Sequence, residues 1–400
     1  MTETITAALP TTRDNAFDPP AELGVLRGEA PLHRLRFPDG HVGWLVTNHE
    51  LVREIMADRR FSSRSELHHS VITRADGQPV RRPAATPGLF IGMDAPDHTR
   101  YRKLLTGQFT VRRMNQLSAR IEEIVLDHLK AMRANGTSAD LVAAFALPIP
   151  SLVICELLGV PSDERHVFQE DTALALRLET TAEEAFAAFE RIKDFIRDLV
   201  VRKRTTPGDD MLSGLIASGE HLDDEEITGM GVLLLVAGHE TTANMLGLGT
   251  LALLANPDQL AALKADPSLI GNTVEELLRY LSIIQFGTTR TALEDVAIGG
   301  EVVKAGDTLS LSVAAANRDP ERFDDPDRLD VRRPASGHMS FGHGVHQCLG
   351  QQLARIEMRI GYSALFAEFP DLRLAVPADE VPLRTDMAIY GVHALPVEWS

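Results

Sequence analysis

The stretch Phe341-Gly-His-Gly-Val-His-Gln-Cys-Leu-Gly350, FGHGVHQCLG, decides how this chain is read, because it sets one of the only two cysteines among three glycines and two histidines. A thiolate is a soft ligand suited to iron, zinc or copper, and backbone amides or a helix N-terminus favour its anionic form. Cys348 stands where LGQQLARIEMRIGYSALF begins a helix. Gly342, Gly344 and Gly350 let the backbone pass close to a flat ligand and turn its amides toward the sulfur. A free cysteine is most often a buried, inert one, and Cys155, inside the apolar PSLVICELLGVP, reads that way. With no second cysteine nearby, Cys348 suits haem iron better than zinc.

Three other site chemistries fail on spacing. Gly342-x-Gly344 is followed by Gln347 where a dinucleotide fingerprint needs its third glycine. His239-Glu240 is followed by Ala243 where a zinc-protease helix needs its second histidine. No GxxxxGK[ST] loop exists to cradle nucleotide phosphates. Composition narrows the field further. Apolar residues make up 44% and charged residues 24% of the 400, the profile of a soluble globular protein. A net charge of −17 argues against nucleic acid as a partner. Two cysteines cannot build a disulfide framework, a four-cysteine zinc site or an iron–sulfur cluster, and they suit a reducing compartment. The opening MTETITAALPTTRDNAFDPP has no basic segment followed by an apolar core, and no apolar run approaches a membrane span. The expectation is a cytoplasmic protein with no membrane anchor.

Along the chain no repeat or low-complexity tract appears. Residues 41–47 read as a strand, and Asn48 caps a helix through about Asp58. Residues 64–92 mix Arg, Pro and Gly without a sustained period and read as a long functional loop. Helices are expected over 112–135, 181–204, 223–255 and 350–367, none of which has an internal proline. FGTTRTA, VAIGGEVV with its Gly-Gly turn, and TLSLSVA read as short strands between 286 and 316, with further strand-like pieces near 372–376 and 387–398. The chain is therefore mostly helical with a minor sheet, and the 223–255 helix is expected to run through its middle.

Two polar groupings stand out against that background. In AGHETT, Glu240 and Thr241 place an acid and a hydroxyl side by side in an apolar helix, where the threonine can bond back to the preceding turn and locally widen it. A carboxylate can shuttle protons through water, and a hydroxyl can hold a reacting oxygen species. In EELLR, Glu276 and Arg279 are three apart on one helical face and can form a bidentate pair.

FGHGVHQCLG resembles the haem-binding signature of the cytochrome P-450 monooxygenases, and APDHTRYR (95–102), AGHETT (237–242) and EELLR (275–279) agree with that family in order and spacing. The resemblance covers residues 1–400 as a single domain. It implies a mainly α fold with a minor β region, a triangular prism-like domain whose long central helix lies over the haem. It implies haem b as cofactor, O2 as co-substrate and Cys348 as the iron ligand, with Phe341, Gly344 and Gly350 around the thiolate. Ala237 and Gly238 leave room for dioxygen, and Glu240 and Thr241 relay protons to it. His98, Arg102, Arg290 and His346 are the positions that meet the haem propionates. Glu276 and Arg279 become a buried structural pair joined by an arginine from 317–334, assigned to Arg328, with Arg332 and Arg333 as its neighbours in sequence.

The substrate pocket is assigned to the 81–92 loop, Leu233 to Thr241, the Ile283-Ile284-Gln285-Phe286 stretch and Ile389-Tyr390, with Arg81 and Arg82 able to meet a polar or carboxylate group at its mouth. The motifs most resemble the soluble bacterial subfamily that hydroxylates polyketides, macrolides, sterol-like compounds such as vitamin D, and statin precursors. A hydrophobic small molecule is the implied substrate, to be hydroxylated or epoxidised by a monomeric enzyme. The chain carries no dinucleotide fingerprint or cysteine cluster, so electrons must come from a ferredoxin or flavodoxin with its NAD(P)H reductase. Those donors are acidic, so docking calls for a local basic patch, for which Arg100, Lys103, Arg112, Arg113, Arg355 and Arg359 are the candidates. A hydrogen-peroxide-driven peroxygenase is the nearest alternative, and it should lack the acid–alcohol pair. A non-catalytic haem sensor of gas or redox state would ordinarily add an output domain.

Overall fold

Residues 42–46 form a strand with one neighbour from just before it in the chain and the other from far beyond it. In the computed structural model, which describes residues 5–6, 8–80, 82–109, 111–164 and 166–400, Val42–Val46 pairs antiparallel with Leu32–Arg36 and parallel with Thr308–Leu311. The six-stranded sheet runs in the order Ile5–Thr6, Leu32–Arg36, Val42–Val46, Thr308–Leu311, Thr288–Ala292, Phe61–Ser62. Thr308–Leu311 is buried throughout, as a central strand must be. It sets Arg290 opposite Leu309 on the adjoining strand. Asn48 caps the following helix His49–Ala57 as expected, accepting from the Leu51 amide at 3.0 Å. TLSLSVA departs from the expectation at its end. The strand stops at Leu311, and Ser312, accepting from the Ala315 amide, starts a short helix Val313–Ala316.

The expected long helices form as Val111–Ala134, Ala182–Thr205, Asp224–Ala255 and Gln351–Glu368. Asp224–Ala255 is the middle of the molecule, with 22 of its 32 residues buried. It packs against Pro148–Leu158, Ala182–Thr205, Ile270–Leu281 and Gln351–Glu368. Its start is fixed by a reciprocal box: Asp223 accepts from the Glu226 amide at 2.8 Å, and Glu226 accepts from the Asp223 amide at 3.0 Å. Such a cap contributes about 1 kcal/mol. The same Glu226 carboxylate takes the Tyr101 hydroxyl at 2.9 Å and an ion pair from Arg100, so APDHTRYR is tied to the start of the central helix. Gly88 and Gly229 meet there. A Cβ at Gly229 would lie 2.0 Å from the Pro87 carbonyl oxygen, which only glycine tolerates. The helix keeps regular α geometry through AGHETT. Thr241 does bond back to the Ala237 carbonyl at 2.8 Å, but no widening accompanies it, and the π-helical turn lies elsewhere, at Val142–Ala146. Among the described residues no helix is long and apolar enough to cross a membrane.

Candidate active site

Residues 233, 237 and 241 repeat every four positions, so they share one face of the central helix. On a helix mostly buried between its ends, this face is open: Leu233, Gly238 and Thr241 are half-buried and Ala237 is exposed. Neither small residue is there for helix propensity, since glycine and threonine weaken a helix interior. Gly238 instead fits against Ile154, whose side chain a Cβ would meet at 2.7 Å. Glu240 points elsewhere. It is buried, accepts from the Asn244 side chain at 3.1 Å and forms an ion pair with Arg384 at 3.0 Å. The structure therefore places Thr241 on the open face and Glu240 in a polar cluster beside it. Neither Arg384 nor Asn244 was singled out from the sequence. His239 is fully buried, bonded to the Leu235 carbonyl at 2.9 Å and set edge-on against Phe168.

The FGHGVHQCLG loop closes on itself through the Cys348 amide, which donates to the Phe341 carbonyl at 2.8 Å. Burial raises the Cys348 thiol, while backbone amides, Gly350 foremost and then Gln351, and the nearby Arg102 and Arg355 pull the other way. These opposing groups are those that hold an anionic sulfur in a dry site. Gly344 has φ +73° and lies against the helix His49–Ala57, where a Cβ would come 2.6 Å from the Met56 carbonyl oxygen. Its smallness therefore serves the turn and that contact. Gly350 has open space beside its Cα and ordinary φ.

His98, Arg102, Arg290 and His346 converge. The rings of His98 and His346 are 4.0 Å apart, and burial pushes Arg290 down to about 10 and His346 to about 3, the latter with help from His98 and Arg290. Arg102 and His98 are also lowered, mainly by burial. His68, lowered by burial to about 4 and coupled to Arg290, joins this group from the 64–92 loop. Among the described residues no carboxylate forms an ion pair with Arg102 or Arg290, and His98 Nε2 is buried without a hydrogen bond. Buried cations without anions are unfavourable unless a ligand supplies the negative charge. Two carboxylates of a haem fit that requirement, and a cysteine sulfur with amide donors fits its iron.

Behind the cysteine loop, Glu276 and Arg279 are both 0% exposed and bonded bidentately at 2.7 and 2.8 Å. The third arginine is Arg333, which reaches Glu276 at 3.1 Å, and the assignment to Arg328 is corrected. Arg328 is 59% exposed and pairs with Asp325 and Asp330. The turn at Asp325, with φ +45°, sends the Arg328 side chain outward, while its carbonyl accepts from Arg333. Arg279 also clamps the Asn317 and Pro326 carbonyls, so one buried cation ties the 317–334 segment to the helix.

The first glutamate of EELLR does as much and was missed in the sequence. Glu275, held near 2 despite burial by His338 and Arg355, bonds both of them. The Arg355 guanidinium stacks over the Phe341 ring at 4.5 Å, so Arg355 braces the cysteine loop. Of the other basic candidates, Arg100 is spent on Glu226 and Arg113 on Gln108 and Asp209, Lys103 and Arg359 are exposed, and the Arg112 side chain lies outside the described residues. A cleft of about 510 Å³ opens beside the loop, lined by Arg53, Arg322, His343, Gln347 and Arg355 among others. For the substrate side, Ile284 bridges Ile389 and the Tyr390 amide donates to the Ile283 carbonyl, which brings those expected residues together. Arg81 lies outside the described residues.

A sequence model described as Cytochrome P-450 matches residues 169–386. The chain is 50% identical over its whole length, and that of its relative, to Cytochrome P-450 105C1 of a Streptomyces species. It is 42% identical to pentalenic acid synthase of Streptomyces avermitilis, covering 98% of this chain and 97% of that one. The crystal structure of CYP105P1 in complex with filipin I superposes with a TM-score of 0.94 at 44% identity, covering 99% of both chains.

Proposed function

The chain belongs to the cytochrome P-450 family, and we propose that this monooxygenase oxidises a bulky hydrophobic natural product carrying one polar or anionic end, with Cys348 as the ligand of its haem iron. Haem b, when bound, supplies the activation of O2 and the insertion of one oxygen atom into a C–H bond. The protein's part is to bind, orient and manage protons. Arg102 and Arg290 would neutralise the propionates and the uncharged rings of His98 and His346 would bond them, while the amides of Gly350 and Gln351 favour an anionic Cys348 sulfur against the burial that raises the thiol. Leu233 and Ala237 leave the open face apolar, and Ile283, Ile284 and Ile389 extend that apolar wall. Thr241, whose hydroxyl lies on this face and donates to the Ala237 carbonyl, positions that hydroxyl beside the reacting oxygen, and Glu240, once free of Arg384 and Asn244, is the acid that would resupply protons.

The observation that carries the reading is the buried Arg290 and half-buried Arg102, neither in an ion pair with a carboxylate among the described residues, beside a thiol whose charged form backbone amides favour. The polar end of the substrate is read from Arg82. It stands exposed in the 81–92 loop and forms no ion pair with an acid among the described residues. Relatives agree with the substrate class: their names include vitamin D3 dihydroxylase of Streptomyces griseolus, at 41% identity, and the CYP105P1 structure holds filipin I. A spectral-shift screen of hydrophobic natural products, each with and without a carboxylate, tests this directly. Paired compounds are expected to differ by about tenfold or more in favour of the polar end, in line with a charge-assisted contact. Equal affinities throughout would remove Arg82 from the reading.

Thr241→Ala is expected to keep haem and ligand binding while diverting reducing equivalents to hydrogen peroxide. An unchanged ratio of product to electrons consumed would exclude the hydroxyl from proton management. The electron donor is an external acidic protein, a ferredoxin or flavodoxin served by its own reductase, docking on the cleft beside the cysteine loop. Arg53 lines that cleft, and Arg359 lies one turn beyond Arg355 on the same helical face, both exposed. Replacing both by Glu should raise the donor concentration for half-maximal rate about tenfold at low salt, with less effect at high salt. A salt-independent, wild-type dependence on donor would place docking elsewhere.

A further inference from the structure

Glu240 cannot serve Thr241 while it holds its present partners. The two residues are neighbours in sequence, but Thr241 lies on the open face and Glu240 is packed away with Asn244 and Arg384. Arg384 comes from the C-terminal hairpin, where its amide donates to the Gly391 carbonyl at 2.9 Å and Leu383 bridges Val392. The fit is tight: a Cβ at Gly391 would lie 2.0 Å from Asn244 Oδ1. The Glu240 and Arg384 side chains are 4% and 10% exposed, and Arg384 Nε is buried without a hydrogen bond, so this arginine is only partly satisfied where it lies.

The hairpin has a second side. In extended backbone, alternate side chains point oppositely. Leu383 and Thr385, flanking Arg384, line a cavity of about 1190 Å³ that also touches Gln285 and Phe286, the continuation of the Ile283-Ile284 wall. Ile389, on the returning arm, meets Ile284. One short hairpin thus touches the apolar wall, the outer cavity and the acid.

We propose that Arg384 is the positioning residue for Glu240: it holds the carboxylate off the open face until a hydrophobic ligand in the outer cavity, pressing on Leu383 and Thr385, shifts the hairpin and releases it. The inference rests on the reading of Glu240 as the proton supplier. Arg384 then links substrate occupancy to proton supply, so that reducing equivalents are not spent on peroxide in the absence of substrate.

Arg384→Gln, Arg384→Lys and Glu240→Gln are compared in the haem-loaded protein with its donor system. Arg384→Gln should raise ligand-free electron consumption, with peroxide as product, at least threefold and abolish its dependence on ligand. Arg384→Lys, which keeps a cation, should restore most of the control. Glu240→Gln should enlarge the solvent deuterium isotope effect on turnover. Independently of turnover, each glutamine variant should lower the thermal unfolding midpoint by a few degrees, and the double variant should recover most of that loss, because each single change strands a buried charge. Should Arg384→Gln fail to fold, Leu383→Trp, which fills the outer cavity, is expected to raise ligand-free consumption on its own. Wild-type leakage in Arg384→Gln or in Leu383→Trp, with an altered isotope effect in Glu240→Gln, overturns the positioning role alone. An unaltered isotope effect in Glu240→Gln overturns the reading of the acid itself.

Discussion

Replacing Cys348 with serine is expected to abolish the carbon monoxide-bound Soret band at the wavelength typical of thiolate haem, together with monooxygenase turnover. Burial of the Cys348 sulfur disfavours its charge, and the amides of Gly350 and Gln351 offset part of that penalty. A serine oxygen in the same place is a harder and far more basic donor, so it does not provide the soft anionic ligand that the chemistry needs. The glycine turn and the amide of residue 348 bonded to Phe341 remain, so the fold should survive and the comparison is clean. Retention of the thiolate-type band in the serine variant would refute the assignment of Cys348.

Truncating Arg279 should be nearly as severe by a different route. Arg279 and Glu276 are fully buried, and removing one member leaves the other without its counter-charge, at a typical cost of about 3–5 kcal/mol. A domain's whole stability is about 5–15 kcal/mol. Arg279→Ala also frees the Asn317 and Pro326 carbonyls, so the segment that leads into the cysteine loop loses its anchor. The expected result is a large fall in the denaturant midpoint and little haem incorporation. Arg333→Ala should follow in the same direction, since Arg333 bonds Glu276 as well. Arg328→Ala should stay within about 0.5 kcal/mol of wild type, as surface changes do. Equal losses from Arg328 and Arg333 would mean that the buried network does not govern stability here.

The contrast between these two arginines shows where sequence reading stops. Arg328, Arg332 and Arg333 share one turn-rich segment, and no periodicity states which side chain turns inward. The decision belongs to the backbone at Asp325 and to the carbonyls of Asp324, Asp325 and Arg328, which collect the Arg333 guanidinium. The basic patch fared similarly. Arg100 and Arg355 are cationic in any reading, yet each meets a glutamate brought from another element, Glu226 and Glu275. Local pattern was sufficient where the interaction is local. The cap at Asn48, the long helices, and the shared face of Leu233, Ala237 and Thr241 follow from spacings of three and four residues.

By itself the sequence determined the chemistry: a lone cysteine in a glycine turn at the head of a helix, an acid–alcohol pair within an apolar helix, and cations at set intervals from both. Short-range backbone geometry suffices to present such groups, so their spacing survives as a readable motif. Only the tertiary structure decided which groups meet across the chain. It gathered Arg290 from a central sheet strand with His98, Arg102 and His346, chose Arg333 for Glu276, and set Arg384 on Glu240. These are long-range contacts whose partners are selected by packing and by the need to neutralise buried charge, and neither requirement leaves a fixed interval in the sequence.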